Sequence, residues 1–186
     1  MLDILKTTLE ECPVVKKGEY DYFVHPITDG VPEISFELLH EVVGEIRNKL
    51  IKDYDKIVAI EAMGLPIGAA LAMEVNKPLV VIRKKSYGLE GEVSVEQSTG
   101  YSKSKLFING LEPHDKIIIV DDVLSTGGTL KAVLMALNEM GVDIVDVVVV
   151  IEKGPNKAQV EQATGVEIKS LIKADVVDGK VVVTEI

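Results

Sequence analysis

The sequence predicts an α/β fold, an open and mostly parallel twisted sheet flanked by helices, and two observations support it. Short segments rich in valine and isoleucine alternate with segments of helical periodicity, which is the pattern of a parallel sheet covered on both faces. The chain has 186 residues, of which 47% are hydrophobic and 27% charged. It is therefore long enough to bury one core and too apolar to be disordered.

The first β-α-β unit follows a long amphipathic helix. That helix is predicted between Ser35 and Tyr54, where apolar residues recur at helical spacing and Ser35 can cap the amino terminus. Residues 56–64 are predicted to form a buried strand that breaks at Gly64, residues 65–76 a helix, and residues 78–85 a second strand.

A second unit of the same kind follows. Residues 116–122 are predicted to form a strand, residues 127–141 a helix that ends at Gly141, and residues 143–153 another strand. Right-handed crossovers should place all these strands in one sheet.

Two regions stand outside this alternation. Residues 86–105 are rich in glycine, serine and charge, which predicts a long flexible loop. The chain ends, about 1–35 and 166–186, are predicted to form a small accessory lobe, a hood over the core. We therefore expect a single domain, 1–186, with its core at about 36–165.

Composition excludes several classes of function. The net charge of -10 argues against binding of nucleic acid, because Lys and Arg must neutralise its phosphates. The single Cys12 cannot form an internal disulfide, and the three histidines lack the spacing of metal ligands. No apolar run reaches the roughly 18 residues of a membrane span, and the amino terminus is too polar for a signal peptide. We therefore expect a cytoplasmic protein without a membrane partner.

Residues 117–130, IIIVDDVLSTGGTL, carry the strongest chemical signal. In open α/β sheets, ligands bind beyond the carboxyl ends of the strands, where Asp121 and Asp122 are expected. The glycines and hydroxyls that follow, together with a helix amino terminus, can cradle a phosphate. The carboxylates would repel that phosphate but suit sugar hydroxyls or a developing positive charge. The predicted phosphate-binding residues are Ser125, Thr126, Gly127, Gly128 and Thr129.

This segment resembles the phosphoribosyl pyrophosphate loop of the type I phosphoribosyltransferases: an aliphatic strand, two acids, two variable residues, then Ser-Thr-Gly-Gly-Thr. The strongest likeness over the whole chain is to the archaeal hypoxanthine/guanine phosphoribosyltransferases, which carry YFVHPITDGVP, residues 22–32 here. The resemblance implies attack of purine N9 on C1 of phosphoribosyl pyrophosphate, with Asp121 and Asp122 as catalytic residues. It also implies Mg2+, held through substrate and water with no direct protein ligand, and a homodimer.

The resemblance also predicts a pyrophosphate-binding group. Residues 57–72, IVAIEAMGLPIGAALA, resemble the family's pyrophosphate loop, and VVIRKK resembles the basic strand end that follows it. Met63 stands where adenine enzymes have Arg, so backbone donors and nearby cations must substitute. The predicted pyrophosphate-binding residues are Ala62, Met63, Gly64, Arg83 and Lys84, with Lys85 beside them.

Base recognition is expected at Val24, His25 and Lys153. Lys153 resembles the lysine in VIEK of the xanthine enzymes, and an ammonium suits the O6 acceptor of a 6-oxopurine better than the amino group of adenine. Val24 stands where xanthine enzymes have Asn and cannot recognise a second oxo group by its side chain. For His25, a role as a satisfied hydrogen-bonding residue is an equal alternative to purine contact.

The flexible loop departs from the adenine enzymes, because Ser98 stands where their loop has Glu. Glu96 and Tyr101 are weaker candidates for a role in that loop.

The sequence therefore predicts a hypoxanthine/guanine phosphoribosyltransferase of purine salvage. Alternatives are an adenine or xanthine enzyme and a non-catalytic regulator that senses phosphoribosyl pyrophosphate or purine. A regulator would need a basic DNA-binding module, which the sequence does not indicate. Synthesis of phosphoribosyl pyrophosphate would need a second domain.

Overall fold

A computed structural model describes residues 2–18, 20–50, 53–98 and 103–185. The helices are α1 (Asp3–Glu11), α2 (Pro26–Asp29), α3 (Phe36–Lys49), α4 (Gly64–Val75), α5 (Gly128–Glu139) and α6 (Lys157–Thr164). The strands are β1 (Val14–Lys17), β2 (Tyr20–Phe23), β3 (Lys56–Ile60), β4 (Leu79–Ile82), β5 (Val93–Ser98), β6 (Lys103–Ile108), β7 (Lys116–Leu124), β8 (Asp143–Glu152), β9 (Lys169–Val177) and β10 (Lys180–Glu185).

The central sheet has six strands in the order β10-β9-β8-β7-β3-β4. Strands β3, β4, β7, β8 and β9 are parallel, and β10 pairs antiparallel with β9. This confirms the predicted open and mostly parallel sheet. Its parallel strands are continuous apolar runs because both faces are covered.

Each face of the sheet carries its own hydrophobic core. Successive side chains of β7 point to opposite faces, so Ile118 and Val120 pack with α1, α3 and α4. Ile117 and Ile119 pack instead with α5 and with the hairpin β5–β6. The two cores hold the sheet between two helical layers and fix the direction in which its strands end.

The capping signal at the start of α3 is confirmed. The Ser35 hydroxyl accepts a hydrogen bond from the Leu38 amide at 3.2 Å, which satisfies an amide that has no partner inside the helix. α3 ends at Lys49, earlier than the predicted Tyr54. It has 14 residues, and no helix within the described ranges is both long and apolar enough to cross a membrane.

The region predicted as a long flexible loop contains a β-hairpin. β5 and β6 pair antiparallel, and Arg83 forms a bridge with Phe107 that attaches β6 to the end of β4. Val95, Leu106 and Ile108 are buried in the core beside α5. Sequence reasoning missed the hairpin because its apolar residues alternate only over a few positions, so the glycine-rich and charged flanks dominated the pattern.

The carboxyl-terminal part of the predicted accessory lobe belongs to the central sheet. β9 pairs with β8, and β10 pairs with β9, because β9 carries buried Leu171, Ile172 and Ala174 that face the core. The amino-terminal helix α1 packs against β10, so the two chain ends do lie together. β1 and β2 form a separate two-stranded sheet.

We expect Gly68→Ala to destabilise the protein. A Cβ at Gly68 would lie 2.6 Å from the Ala59 Cβ on β3, so α4 must shift, and overpacking of this kind costs about 1–3 kcal/mol. Gly44→Ala on α3 is the matched control, because a Cβ there meets nothing within 4 Å and helix propensity should add up to about 1 kcal/mol. Relative to the wild type, the free energy of unfolding in urea should fall in Gly68→Ala and rise in Gly44→Ala. Equal changes in the two variants would contradict the close packing of α4 on β3.

Candidate active site

The site lies where the strand order changes direction, between β3 and β7. From β3 the chain continues to β4 on one side, and from β7 it continues to β8 on the other. The loops after β3 and β7 therefore diverge and open a crevice, which is where open α/β sheets bind ligands. A Cβ built at Gly64, the first residue of α4, would lie 2.9 Å from Asp121 Oδ1. The two loops are thus in contact at the base of the crevice.

Residues 125–129 form a turn that leads from β7 into α5. Gly127 has a φ of +74° and caps the helix, and a Cβ there would lie 2.4 Å from Val160 Cγ2. Glycine is required for both reasons. The turn lines a pocket of about 250 Å³, and its helix amino terminus favours an anion. The lining residues include all five predicted phosphate-binding residues, with Asp121, Tyr20 and Tyr22.

The loop after β8 supports the turn at residues 125–129, which we call the phosphate turn after its predicted role. The Lys153 amide donates to the Leu124 carbonyl at 2.8 Å, and the Asn156 side-chain amide donates to the Ser125 carbonyl at 2.9 Å. Both bonds join the carboxyl ends of β7 and β8. They fix the position of the turn relative to the backbone of Lys153.

Asp121 and Asp122 lie near the carboxyl end of β7, which continues two residues beyond its predicted end, to Leu124. Asp121 is buried at 9% exposure, and burial raises its pKa to about 6. Burial also raises the pKa of Asp122, and the negative charges of Asp121 and Asp29 raise it further. Two neighbouring carboxyl groups in a desolvated site are poorly stabilised as anions without a ligand. They will favour a ligand that brings hydroxyl donors or positive charge.

The predicted pyrophosphate-binding residues occupy the ends of β3 and β4. Ala62 and Met63 follow β3, after a cis peptide bond between Glu61 and Ala62, and Gly64 begins α4. The Met63 side chain lies against Gly30, since its Cε is 3.5 Å from a Cβ built there. The loop that contains Met63 therefore packs against Gly30, the residue that follows α2.

Glu61 organises the cations of this region, and the sequence analysis did not identify it. Its Oε2 accepts from Arg83 Nε at 3.1 Å and from the Lys84 amide at 2.9 Å. The Lys84 amide and the Arg83 guanidinium hold the pKa of Glu61 below its usual range. Tyr87 adds a ring whose centroid is 5.7 Å from both Arg83 Cζ and Lys85 Nζ. The signal for Glu61 was its position after β3, beside the strand that ends in the basic residues.

The Lys153 ammonium is held by strand β2. Lys153 Nζ donates to the Asp21 carbonyl at 3.1 Å and lies 4.2 Å from the Tyr20 ring centroid and 4.8 Å from that of Phe23. Aromatic faces stabilise a cation at these distances. The charged head of Lys153 therefore lies between the hairpin β1–β2 and the phosphate turn.

The structure argues against contact of the His25 side chain with a purine. His25 is fully buried; its Nδ1 accepts from the Ile27 amide at 3.2 Å, and its Nε2 lies 2.9 Å from Thr8 Oγ1. Both ring nitrogens are therefore used, with the proton on Nε2. Burial lowers the pKa of His25 to about 4. The ring caps α2 and ties it to α1, which is the alternative role that the sequence allowed.

Val24 and the loop candidates are placed as follows. Val24 is half-buried, and its amide donates to the Pro13 carbonyl at 2.9 Å. Glu96 is exposed on β5 and lies 3.7 Å from the Lys105 ammonium. Tyr101 lies outside the described residues.

Asp29 is a further residue that the sequence analysis missed. Its carboxylate accepts from the Tyr22 hydroxyl and from Thr28 Oγ1, both at 2.6 Å, and from the His25 amide at 3.1 Å. Burial raises the pKa of Tyr22, and the hydrogen bond to Asp29 raises it further. This cluster fixes β2 to α2 near Asp122. The only sequence signal was the spacing of Asp29 from His25, one helical turn apart.

The fold and this crevice define an α/β protein with a glycine-containing turn at a helix amino terminus and an acidic pair near the carboxyl edge of its sheet. Residues 35–183 match the family model described as the phosphoribosyl transferase domain. The chain is 58% identical over 183 residues to a hypoxanthine/guanine phosphoribosyltransferase of Methanobacterium paludis, covering 98% of this chain and 96% of that protein. It is 52% identical to the protein of the same name from Aciduliprofundum boonei, covering 99% and 100%. The chain therefore belongs to the phosphoribosyltransferase family and is a transferase.

Solved structures agree with the fold. An adenine phosphoribosyltransferase from Thermoanaerobacter pseudethanolicus superposes with a TM-score of 0.76 at 25% identity, covering 93% of this chain and 99% of that one. The adenine phosphoribosyltransferase of Saccharomyces cerevisiae superposes with a TM-score of 0.74 at 19% identity, covering 91% and 97%. The second likeness shows the shared fold alone.

Acid should weaken the fold through His25. Its pKa falls from 6.5 to about 4 on folding, so the stability due to the neutral ring is complete above pH 6.5 and is lost as the pH falls towards 4. The loss corresponds to about 3 kcal/mol at 1.36 kcal/mol per unit. In urea unfolding at pH 7 and pH 4.5, the wild type should lose more free energy than His25→Asn, which cannot titrate. Equal losses in the two proteins would contradict this assignment.

Asp121→Asn should make the ligand-free protein more stable and nearly inactive. The pKa of Asp121 rises from 3.8 to about 6 on folding, so its charge destabilises the fold above pH 6 and not below 3.8. Removing the charge should raise the free energy of unfolding at pH 7.5 by about 1–3 kcal/mol. Asp178→Asn, in the exposed turn after β9 with φ +51°, is the control and should change little. A variant less stable than wild type, or one with normal turnover, would refute the prediction.

Proposed function

We propose that this chain transfers the phosphoribosyl group of phosphoribosyl pyrophosphate to hypoxanthine or guanine in purine salvage. The observation that carries the proposal is the Lys153 ammonium, held 4.2 Å from the Tyr20 ring beside the phosphate turn. The names of relatives that are 50–58% identical to this chain support the same choice.

Lys153 distinguishes purines by their hydrogen-bonding groups. A 6-oxopurine presents an acceptor at O6, whereas adenine presents an amino donor there, and an ammonium only donates. Near Lys153, the amino group of adenine would face an ammonium group, which offers no acceptor for the hydrogens of that amino group. Such a mismatch strongly disfavours a substrate, because the polar groups of the site stay unpaired.

Val24 supports hypoxanthine and guanine over xanthine. It carries no polar side-chain group, and its amide already donates to Pro13. No donor from Val24 is therefore left for a second oxo group at C2. The adenine enzyme that resembles this fold has a TM-score of 0.76 at 25% identity, which makes adenine the competitor that the experiment must include.

The other site residues have roles that follow from their chemistry. Residues 125–129 would hold the 5'-phosphate through amides, hydroxyls and the amino terminus of α5. Asp121 and Asp122 would accept from the ribose hydroxyls and stabilise positive charge at C1 as purine N9 attacks and pyrophosphate leaves. Ala62 to Gly64, Arg83 and Lys84 would receive the pyrophosphate, with Glu61 holding the two cationic residues in position.

Mg2+ is the cofactor that we propose. The ion would enter with the pyrophosphate of the substrate, without a direct ligand from the protein. Asp121 and Asp122 are suited to hold its water shell. The ion would neutralise charge on the departing pyrophosphate.

We further propose one domain, 1–186, that acts as a homodimer in the cytoplasm, as the family resemblance implies. Its proposed substrate phosphoribosyl pyrophosphate is a charged metabolite that does not cross membranes unaided, which supports the location. Light scattering after size-exclusion chromatography would give the mass of the assembly.

Initial rates with four bases test the proposal. With phosphoribosyl pyrophosphate and Mg2+, hypoxanthine and guanine should be converted efficiently, and adenine and xanthine much less. Lys153→Met keeps the stem but deletes the donor, so kcat/KM for hypoxanthine should fall about 10- to 100-fold, the effect of an unsatisfied buried acceptor. The rate with adenine should change far less.

Lys180→Met, an exposed lysine on β10, is the matched control and should behave as wild type. If the wild type prefers adenine, or if Lys153→Met lowers the rates with all bases equally, the assignment of Lys153 and of the 6-oxopurine substrates is wrong.

A further inference from the structure

Tyr20 touches two parts of the site that serve different portions of the substrate. Its hydroxyl lies 3.4 Å from Ser125 Oγ in the phosphate turn, and its ring centroid lies 4.2 Å from Lys153 Nζ. One rigid side chain thus spans from the phosphate-binding turn to the ammonium proposed to recognise the purine. Tyr20 lines the same pocket as the turn.

The neighbouring aromatic residues do not combine these two contacts. The Tyr22 ring is 5.8 Å from Lys153 Nζ, and its hydroxyl donates to Asp29. Phe23, at 4.8 Å, has no hydroxyl. Of the three rings around Lys153, Tyr20 is therefore both the nearest and the one whose hydroxyl reaches the phosphate turn.

We propose that Tyr20 is a positioning residue that couples occupation of the phosphate turn to binding of the purine. This inference rests on the proposed role of Lys153 and names the residue that links it to the phosphate site. The ring holds the Lys153 ammonium in place by a cation–π contact. The hydroxyl fixes the ring to Ser125.

The direction of the Tyr20–Ser125 hydrogen bond supplies the coupling. Without a ligand, either hydroxyl can donate to the other. A phosphate in the turn draws the Ser125 proton, because phosphate oxygens only accept, so Ser125 must then accept from Tyr20. The bond becomes unidirectional and part of a hydrogen-bonded chain, which strengthens it. The ring, and with it the ammonium, is then better fixed for the base.

Two substitutions separate the ring from the hydroxyl. Tyr20→Phe keeps the face towards Lys153 and deletes the bond to Ser125, whereas Tyr20→Leu deletes both. The dissociation constant of hypoxanthine is measured by calorimetry with and without saturating ribose 5-phosphate, a probe for the phosphate turn. In the wild type, ribose 5-phosphate should tighten binding of hypoxanthine, and the factor by which it does so measures the coupling.

In Tyr20→Phe, the coupling factor should fall about 2- to 13-fold towards one, the worth of one hydrogen bond, while affinity without ribose 5-phosphate should fall less than it does in Tyr20→Leu. In Tyr20→Leu, coupling should be lost and affinity should fall about 3- to 30-fold, the range of a cation–π contact. In the Lys153→Met background, Tyr20→Leu should cause little further loss of affinity, because the ring acts through Lys153.

Three results would overturn the inference: a wild-type coupling factor of one, an unchanged factor in Tyr20→Phe, or full additivity of Tyr20→Leu with Lys153→Met. If the wild type binds adenine better than hypoxanthine, the proposed function fails. The coupling factor measured with adenine then still decides whether Tyr20 links the phosphate turn to the base, so the two failures are distinguishable.

Discussion

The parallel pairing of β3 with β7 is the constraint on which the site depends. Val58 lies opposite Ile119 in this pair, and the chain leaves the two strands in opposite directions. Their carboxyl ends consequently bring Glu61–Gly64 and Asp121–Thr129 to one crevice. Gly64 allows α4 to begin in contact with Asp121. A side chain at Gly64 would force the two loops apart, and the acidic pair would lose its place beside the loop proposed to receive pyrophosphate.

The groups in the crevice that can attract an anion are local ones, because the net charge of the whole chain is negative. A protein of net charge -10 repels anions at long range, so a phosphorylated substrate must be held by backbone amides, a helix amino terminus and a few fixed cations. Glu61 fixes Arg83, and the Asp21 carbonyl with the aromatic rings fixes Lys153. The buried Asp121 and the half-buried Asp122 oppose folding when charged. They are therefore poorly explained by stability alone and well explained by a ligand that supplies donors or positive charge.

Sequence patterns predicted the strands β3, β4, β7 and β8, the cap at Ser35 and the turn after β7, because each depends on residues close together in the chain. They did not give the hairpin β5–β6, since the burial of Val95 and Leu106 depends on packing against α5. They left His25 undecided, because the partner that completes its hydrogen bonding, Thr8, lies 17 residues away. The role of Glu61 and the proposed role of Tyr20 were also missed. Each contacts a residue that follows another strand, Arg83 for Glu61 and Lys153 for Tyr20, and only the fold brings these segments together.

The bridge between Arg83 and Phe107 has a mechanical consequence. Both backbone groups of Arg83 are hydrogen-bonded to Phe107, at 3.0 and 2.7 Å, while its guanidinium is bound to Glu61. One residue thus belongs at once to the hairpin and to the site. Displacement of the hairpin at Phe107 must therefore either move Arg83 as well or break two backbone hydrogen bonds. Amide hydrogen exchange at Arg83 and Phe107 would therefore report on the same opening event, and that event would also release a cation from the mouth of the crevice.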